Sequence, residues 1–456
     1  MSVEDLSLGT KLPEAFVSQM KAILGPEYPD FARLLHTSSP VSIRYNPFKE
    51  VHRQTGTPVA WCEQALYLPQ RPEFVYDPYW HSGAYYVQEA GSMFTGYALK
   101  QLLPQLDKPI VLDLCAAPGG KSTHLASLLY DKGGLLVSNE IIKTRLHILQ
   151  ENLTKWGLPN TVITHNDSSH FSKLQNFFDV LVIDAPCSGE GLFRKQPDAV
   201  NEWSEQQVAF CAQRQQEILE NIWPALKPGG FLIYSTCTYN TAENEANVNW
   251  LKEEFEAKWI DLSFPADWNI VSGEGYHFYP HKTQSEGFYL AVLQKPQETF
   301  SNRSISIKKN YFSKLHKEEF EKVSPWFTME GMLLRKQPNG ILNLLPEYFY
   351  DKIEYLAYYL HVVQTGSEMI EIKGKDFNPI QGAANSVLLL PYAFPHAELD
   401  LDTALRYLSK QDFTFEGEIG MNLLRYEGIP LGWAKKMANR VNNNYPQDWR
   451  IRQVRK

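Results

Sequence analysis

Two of the five cysteines follow short apolar runs of strand length. Cys187 lies in Asp184-Ala-Pro-Cys-Ser-Gly-Glu-Gly-Leu-Phe-Arg194, and Cys237 lies in Ser235-Thr-Cys-Thr-Tyr239. Ligands of open α/β sheets bind beyond the carboxyl ends of the strands, so both thiols are placed to meet in one crevice. A thiolate there can add to C6 of an electron-poor pyrimidine, which makes C5 nucleophilic toward a sulfonium methyl. A base must then remove the C5 proton so that the thiolate can leave. Free cysteines are also common as small buried apolar residues. That is the reading for Cys62, beside Trp61, and for Cys211, on the helical stripe Cys211, Ile218, Ile222, Ala225. For Cys187 and Cys237 it stands as an alternative, as does a disulfide between them. No histidine cluster or C-x-x-C accompanies them, so no metal site is expected.

A second constellation begins at Asp113-Leu-Cys-Ala-Ala-Pro-Gly-Gly-Lys121, where a strand runs through a tight loop into a helix. Such a unit offers backbone N–H groups at a helix N-terminus to an anionic or carboxylate-bearing ligand. Its spacing is neither that of a dinucleotide fingerprint nor that of a triphosphate loop. Glu140, about 20 residues on and at the end of the next strand, is placed to take both ribose hydroxyls of an adenosine cofactor. Asp167, after the third strand, is placed to accept from an adenine amino group. Loop and acids without a pyrophosphate fingerprint point to S-adenosylmethionine, the alternative being a generic α/β turn with incidental carboxylates. Cys115 lies inside the loop and is read as shaping it.

The elements that must position these residues follow from hydrophobic spacing. From Pro109 the chain alternates strand candidates (110–114, 135–138, 161–164, 180–183, 231–235, 288–293) with amphipathic stretches (121–129, 144–156, 204–226). Short apolar strands separated by helices argue for a parallel α/β sheet covered on both faces. The first ~105 residues read as a separate unit, with a helix over 12–24, a strand over 41–46 and an apparent helix from Gln88. The polar stretch 295–309 is the best linker, and a mixed α+β region follows it. Short strands are expected near the end at 387–390 and 421–426, followed by Gly428-Ile-Pro-Leu-Gly432.

The length of 456 residues allows two to four domains. A hydrophobic content of 43% with 13% aromatics excludes wholesale disorder. A net charge of −8, from 44 basic and 52 acidic residues, argues against a globally basic, indiscriminate nucleic-acid binder. Five sparse cysteines exclude a disulfide scaffold and point to a reducing compartment. With no secretory signal and no apolar run of about 18 residues, a soluble cytoplasmic protein is expected, with no membrane contact.

Taken together, the motifs resemble the Nop/Sun family of RNA (cytosine-C5) methyltransferases. The matching segments are Asp113–Lys121, Asp184–Gly189, Ser235-Thr-Cys-Thr-Tyr-Asn240, the Glu-Asn-Glu run 243–245, Arg44-Tyr-Asn46 and Tyr86-Val-Gln-Glu-Ala90. The resemblance covers roughly the first 295 residues and implies a Rossmann-like class I methyltransferase sheet. It further implies that Cys237 is the nucleophile attacking cytosine C6 and that Cys187 assists elimination and product release. Cys115, Ala116, Ala117, Pro118, Gly119, Gly120, Lys121, Glu140, Asp167 and Asp184 match the cofactor-binding positions, with Asp184 and Lys121 also facing the target base. Arg145 is read either as a contact of cofactor or Glu140 or as a structural helix-surface residue. Gly428-Ile-Pro-Leu-Gly-Trp-Ala-Lys435, residues 442–451 and Lys373-Gly-Lys-Asp-Phe-Asn-Pro379 resemble the PUA-type tail of bacterial 16S rRNA methyltransferases of the F type. A histidine expected soon after Pro379 is replaced by Gln381-Gly-Ala-Ala-Asn.

The fold expected is therefore α/β, in four parts. An N-terminal α/β RNA-recognition-like domain spans 1–105, the methyltransferase domain 106–297, an α+β region 298–382 and a PUA-like domain 383–456. The partner implied is RNA, specifically 16S rRNA within the small ribosomal subunit, bound by a monomer. Candidate surfaces are the basic tail (Lys435, Lys436, Arg440, Arg450, Arg452, Arg455, Lys456) with Trp433, Tyr445 and Trp449 interleaved, a cluster at Arg303, Lys308, Lys309, Lys314 and Lys317, and the region around Arg44. A duplex hides C5 and C6, so the target base is expected unpaired or flipped out. A tRNA methyltransferase and a non-catalytic RNA-binding assembly factor are the alternatives.

Overall fold

The computed structural model of the chain describes residues 11–196, 198–297 and 310–452. Helices α1 (Glu14–Leu24) and α2 (Tyr28–Leu35) precede an antiparallel sheet in the order β2-β3-β1-β4. Its strands are β1 (Val41–Tyr45), β2 (Thr57–Val59), β3 (Cys62–Leu68) and β4 (Tyr85–Val87), with the short helix α3 (Pro78–His81) before β4. Helix α4 (Phe94–Leu102) leads into β5 (Ile110–Asp113), α5 (Gly120–Lys132), β6 (Leu135–Asn139), α6 (Lys143–Trp156), β7 (Thr161–Thr164) and β8 (Phe178–Asp184). Then come α7 (Asp198–Glu202), α8 (Glu205–Ile222), β9 (Leu226–Thr236), α9 (Glu245–Glu254), β10 (Lys258–Trp259), β11 (Val271–Gly273), β12 (Gly275–Phe278) and β13 (Phe288–Gln294). Beyond residue 310, β14 (Met332–Lys336), β15 (Ile341–Pro346), β17 (Ser367–Lys373) and β18 (Asp376–Pro379) form a third sheet; β16 (Val362–Thr365) lies between β15 and β17 in sequence. A last sheet holds β19 (His396–Glu398), β20 (Gly420–Tyr426), β21 (Ile429–Lys436) and β22 (Val441–Asn443).

The central sheet runs β11-β12-β13-β9-β8-β5-β6-β7-β16, with β10 beside β13. Strands β5 to β9 are parallel, as the alternation of strands and helices predicts. Their residues alternate between two cores. Leu112, Leu181 and Tyr234 face α8, α9 and helix Tyr350–Tyr359 through Leu219, Val248 and Ile353. Val111, Val182 and Ile233 face α4, α5 and β3 through Leu99, Leu125 and Ala65. Full burial of each such side chain stabilises the fold by about 1.5–3 kcal/mol, which is why these strands read as unbroken apolar runs.

Several expectations are corrected. The sheet is mixed, because β13 pairs antiparallel with β9 and β12 with β13; the chain reverses between β12 and β13 without a helix, while α9 lies between β9 and β13. The helix predicted from Gln88 starts later, at Phe94. The Glu89 carboxylate accepts from the N–H groups of Gly91 and Ser92, holding a short 3₁₀ turn ahead of it. Residues 387–390 are not a strand: Leu388 is buried in the core around β15 and Trp433, and Leu389 makes only an isolated bridge to Phe327. Strand β16 was not anticipated, and it extends the central sheet by pairing antiparallel with β7. Most of the linker expected over 295–309 lies outside the described residues, as do Arg303, Lys308, Lys309, Arg455 and Lys456.

Candidate active site

The register of the parallel strands sets the site. Asp113 pairs with Ser138, Asn139 with Thr164, and Asp184 with Ser235, so the loops after β5, β6, β7, β8 and β9 all open at one edge. Beyond β5, the loop that leads into α5 is held from outside by its carbonyls. Arg145 Nη2 donates to Ala117 O (2.6 Å), Asn152 Nδ2 to Pro118 O (2.8 Å) and Arg44 Nη2 to Gly120 O (3.0 Å). The Ala116 N–H donates to Asn139 O (2.9 Å). Gly119 has φ +113°, and a Cβ there would sit 3.3 Å from Asn152 and Leu149 side-chain carbons, so the turn into α5 requires glycine.

Glu140 is buried; its Oε1 accepts from the Ile142 N–H (2.8 Å) and Arg145 Nη1 lies 3.7 Å from Oε2. Asp167 is exposed, and its Oδ1 accepts from the Ser169 N–H and Oγ, which hold its carboxyl below the usual range. Asp113 is fully buried and takes a 2.6 Å bond from Ser122 Oγ. Burial pushes its carboxyl up to about 7, with the charges of Asp184 and Glu140 adding and Ser122 and Lys121 opposing. Two buried carboxylate oxygens around this cradle, Asp113 Oδ1 and Glu140 Oε2, have no hydrogen-bond partner. Such orphaned acceptors fit the ammonium and ribose hydroxyls of S-adenosylmethionine. Cys115 carries a thiol that burial, and then the charges of Asp113, Asp184 and Glu140, push well up, which leaves it inert.

The two cysteines meet. Cys187 Sγ lies 3.1 Å from Cys237 Sγ, and the Cys237 N–H donates to Cys187 Sγ at 3.3 Å. The hydrogen bond with Cys237, followed by burial and the nearby charge of Glu243, pushes the Cys187 thiol far up, so it stays protonated. The two residues are free thiols in the structure. Lys121 Nζ pairs with Asp184 Oδ2 at 2.8 Å and lies 5.2 Å from the centre of the Phe288 ring. Burial pulls the Lys121 ammonium down, but Asp184, Asp113 and Cys237 together outweigh it and raise the pKa. Asp184 also accepts from Ser235 Oγ (3.0 Å). The arrangement therefore places a cation, a carboxylate and two thiols beside the loops that follow β5, β8 and β9.

Sequence reading missed several contributors. Asn139 holds the loops after β5 and β7 through Leu114 O and Asn166 O, and Gln215 holds Pro186 O. Asn139 stands next to Glu140, which is the signal that could have found it. Arg44, expected on an RNA surface, is instead fully enclosed: Nε donates to Gln88 Oε1 (2.8 Å), Nη2 to Thr123 Oγ1 (2.7 Å), and the guanidinium covers the Trp156 ring. Trp433 and Tyr445 are buried in the cores of the last two sheets, so neither is free to stack on a base. Gln381 is a packing residue, donating to Leu431 O and Asn385 Oδ1. Cys62 and Cys211 are buried, as expected. Among the described residues no cluster of three or more His, Cys, Asp or Glu could hold a metal, and no helix is long and apolar enough to cross a membrane.

Comparison with known proteins gives a consistent result. Residues 100–294 match the family model described as 16S rRNA methyltransferase RsmB/F. Residues 12–90 match the N-terminal domain of 16S rRNA methyltransferase RsmF, and residues 394–451, which hold the last sheet, match the RsmF PUA domain. The chain is 32% identical to ribosomal RNA small subunit methyltransferase F of Erwinia tasmaniensis, over 96% of each chain. It is also 32% identical to the protein of the same name from Shewanella loihica, over 86% of this chain and 83% of that one. Among solved structures it is similar to a methyltransferase homolog from Pyrococcus horikoshii, with a TM-score of 0.54 and 26% identity, covering 63% of this chain and 96% of that one. With similarity running over nearly its whole length, the chain belongs to the 16S rRNA methyltransferase RsmB/F family.

Proposed function

We propose that the chain methylates C5 of cytosine in 16S rRNA through a covalent adduct on Cys237. The observation that carries this reading is the 3.1 Å approach of Cys187 and Cys237 beside the Lys121–Asp184 pair. When bound, S-adenosylmethionine supplies the electrophilic methyl group. Cys115 to Lys121, Glu140, Asp167 and Asp184 bind it, Glu140 at the ribose and Asp167 at the adenine. Cys237 Sγ, as thiolate, adds to C6, and the C5–C6 π electrons become available at C5 for the methyl. Lys121 and Asp184 face the ring: the Lys121 ammonium stabilises the negative charge that develops near N3, and Asp184 holds that ammonium in place. A solvent water, acting as base, then takes the C5 proton; the C–H electrons restore the C5–C6 double bond and the C6–S electron pair returns to Cys237 Sγ. Cys187, held protonated against Cys237, assists that departure and is not the attacking thiol.

The RNA surface includes the exposed Lys435, Arg440 and Arg452 of the tail and Lys314 and Lys317 near residue 310. The substrate presents an unpaired or flipped cytosine, in the small subunit, to a monomeric enzyme. The decisive experiment measures methyl incorporation and a denaturation-resistant protein–RNA band with 16S rRNA, small subunits and tRNA in parallel. Cys237→Ala is expected to abolish incorporation, and Cys187→Ala to accumulate the band. Full activity of Cys237→Ala overturns the assignment of the nucleophile, and incorporation into tRNA alone overturns the substrate.

A further inference from the structure

Two buried glutamates outside the cofactor cradle tie the cysteine loops to each other. Glu190 belongs to the loop of Cys187 and is fully buried. Its Oε2 accepts from the Tyr239 N–H (3.0 Å), and its Oε1 accepts from Asn240 Nδ2 (3.2 Å), both on the loop of Cys237. Glu243 belongs to the Cys237 side and is equally buried. Its Oε2 accepts from the Ser188 N–H (3.0 Å), next to Cys187, and from Gln215 Nε2 (2.8 Å), the same nitrogen that holds Pro186 O. Asn240 Nδ2 also reaches Glu243 Oε1 at 3.2 Å, so one amide bridges both carboxylates. The Gly191 N–H donates to Cys237 O (2.9 Å), at a point where a Cβ on Gly191 would meet that oxygen at 2.9 Å. Two further donors complete Glu190: Trp203 Nε1 (3.0 Å) and, from α1, Gln19 Nε2, at 3.1 and 3.2 Å from its two oxygens. Every one of these partners is a neutral N–H.

We propose that Glu190 and Glu243 form a reciprocal latch that sets the spacing of the two thiols, each glutamate gripping the backbone of the other cysteine's loop, with Asn240 as the bridge and Gln19 tying α1 to it. They are positioning residues, since neither is placed against cofactor or base. A carboxylate suits the task because it only accepts. An amide at position 190 would turn one donor toward the N–H groups of Tyr239, Asn240, Trp203 and Gln19, forcing the loops apart. A displacement of about 1 Å at a reacting atom costs on the order of 100-fold in rate, so the thiol spacing is where a weakened latch shows.

The proposal rests on Cys237 being the nucleophile. It is tested by single-turnover methyl transfer with saturating S-adenosylmethionine and 16S rRNA, comparing the full chain with Glu190→Gln, Glu243→Gln and Asn240→Ala. The expected result is a rate constant lower by about 30-fold or more in each variant, with the fraction of enzyme reacting and the Kd values for cofactor and RNA within about twofold of the parent. A role confined to folding does the opposite, lowering the reacting fraction while leaving the rate constant of the folded enzyme intact, and that outcome overturns the latch. Should Glu190→Gln not fold, Gln19→Ala at the outer end takes its place, with a fall of about three- to tenfold expected. Unchanged rate constants in both Gln19→Ala and Asn240→Ala overturn the proposal. Cys237→Ala is run alongside: if it still transfers methyl, the reading of the nucleophile fails, whereas an inactive Cys237→Ala with undiminished latch variants rejects the latch alone.

Discussion

Replacing Arg44 tests how far the N-terminal sheet supports the cofactor loop. The guanidinium makes three hydrogen bonds, to Gln88 Oε1, Thr123 Oγ1 and Gly120 O, and lies 4.6 Å from the centre of the Trp156 ring. Burial pulls its pKa down to about 10, yet it stays charged at neutral pH. Arg44→Ala leaves Gln88 Oε1 and Thr123 Oγ1 without their donor, at about 1–3 kcal/mol for each one that stays buried and unsatisfied, whereas Gly120 O keeps the Thr123 hydroxyl at 3.1 Å. It also forfeits about 0.5–2 kcal/mol from the aromatic contact. These losses overlap, and removal of the buried charge itself offsets part of them, so a net destabilisation of about 3–5 kcal/mol is expected. At roughly 2–4 °C per kcal/mol, thermal unfolding should shift down by about 10 °C.

A second readout separates support of the loop from general stability. Gly120 belongs to the loop after β5 and opens α5, so loss of the Arg44 bond to its carbonyl should weaken S-adenosylmethionine by about tenfold, equivalent to about 1.4 kcal/mol. Arg44→Lys is the informative partner. One ammonium cannot span the three acceptors, so Arg44→Lys should give a cofactor Kd between those of the parent and of Arg44→Ala. Scanning calorimetry and isothermal titration measure both quantities. Unchanged unfolding temperature and cofactor Kd in Arg44→Ala would refute the idea that this cation joins the two sheets to the loop.

Other expectations concern the cradle and the last sheets. Asp113, held at about 7 against about 3.9 in the unfolded chain, favours the folded state fully below about pH 4 and loses that contribution as pH rises through 7. Asp113→Asn should thus reduce the drop in unfolding free energy between pH 5 and 8 by about 2–3 kcal/mol, read from denaturant titrations at both pH values. An unaltered pH profile would mean that the buried carboxyl is not the titrating group. Glu140→Gln should raise the cofactor Kd by about 10- to 100-fold and leave RNA affinity alone, as measured by calorimetry and filter binding. Trp433, whose Nε1 donates to Ile380 O (2.8 Å) and whose ring packs edge-on to Phe394, should act through stability. Trp433→Ala is expected to cost about 3–5 kcal/mol of unfolding free energy, with RNA affinity per folded molecule unchanged; a selective loss of RNA binding would restore the stacking role.

Which of these residues could be read beforehand follows from their surroundings. Strands β5 to β9 are buried on both faces, so each stands out as an apolar run, and the loops at their carboxyl ends carry Cys115–Lys121, Glu140, Asp167, Asp184, Cys187 and Cys237. The pairing of β16 with β7 joins segments almost 200 residues apart, and a four-residue strand carries no sign of which sheet it will extend. Buried polar groups were harder still. A charge in a sequence reads as surface by default, because charged residues are almost never fully buried unless paired. Arg44 and Glu190 break that expectation with neutral partners, and only the folded chain brings those partners together.

Burial also bears on the net charge. Asp113, Glu140, Glu190, Glu243, Glu286 and Glu354 are all buried, against Arg44 and Lys155 among the cations. Among the described residues more acid than base is therefore withdrawn from the surface, leaving the surface less acidic than −8 implies. Several of the withdrawn carboxylates lie beside the loops after β5 and β6 or between the two cysteine loops, where they accept hydrogen bonds inside the protein. An overall acidic chain can thus keep a surface compatible with a polyanion, because much of its excess negative charge holds the site together from within.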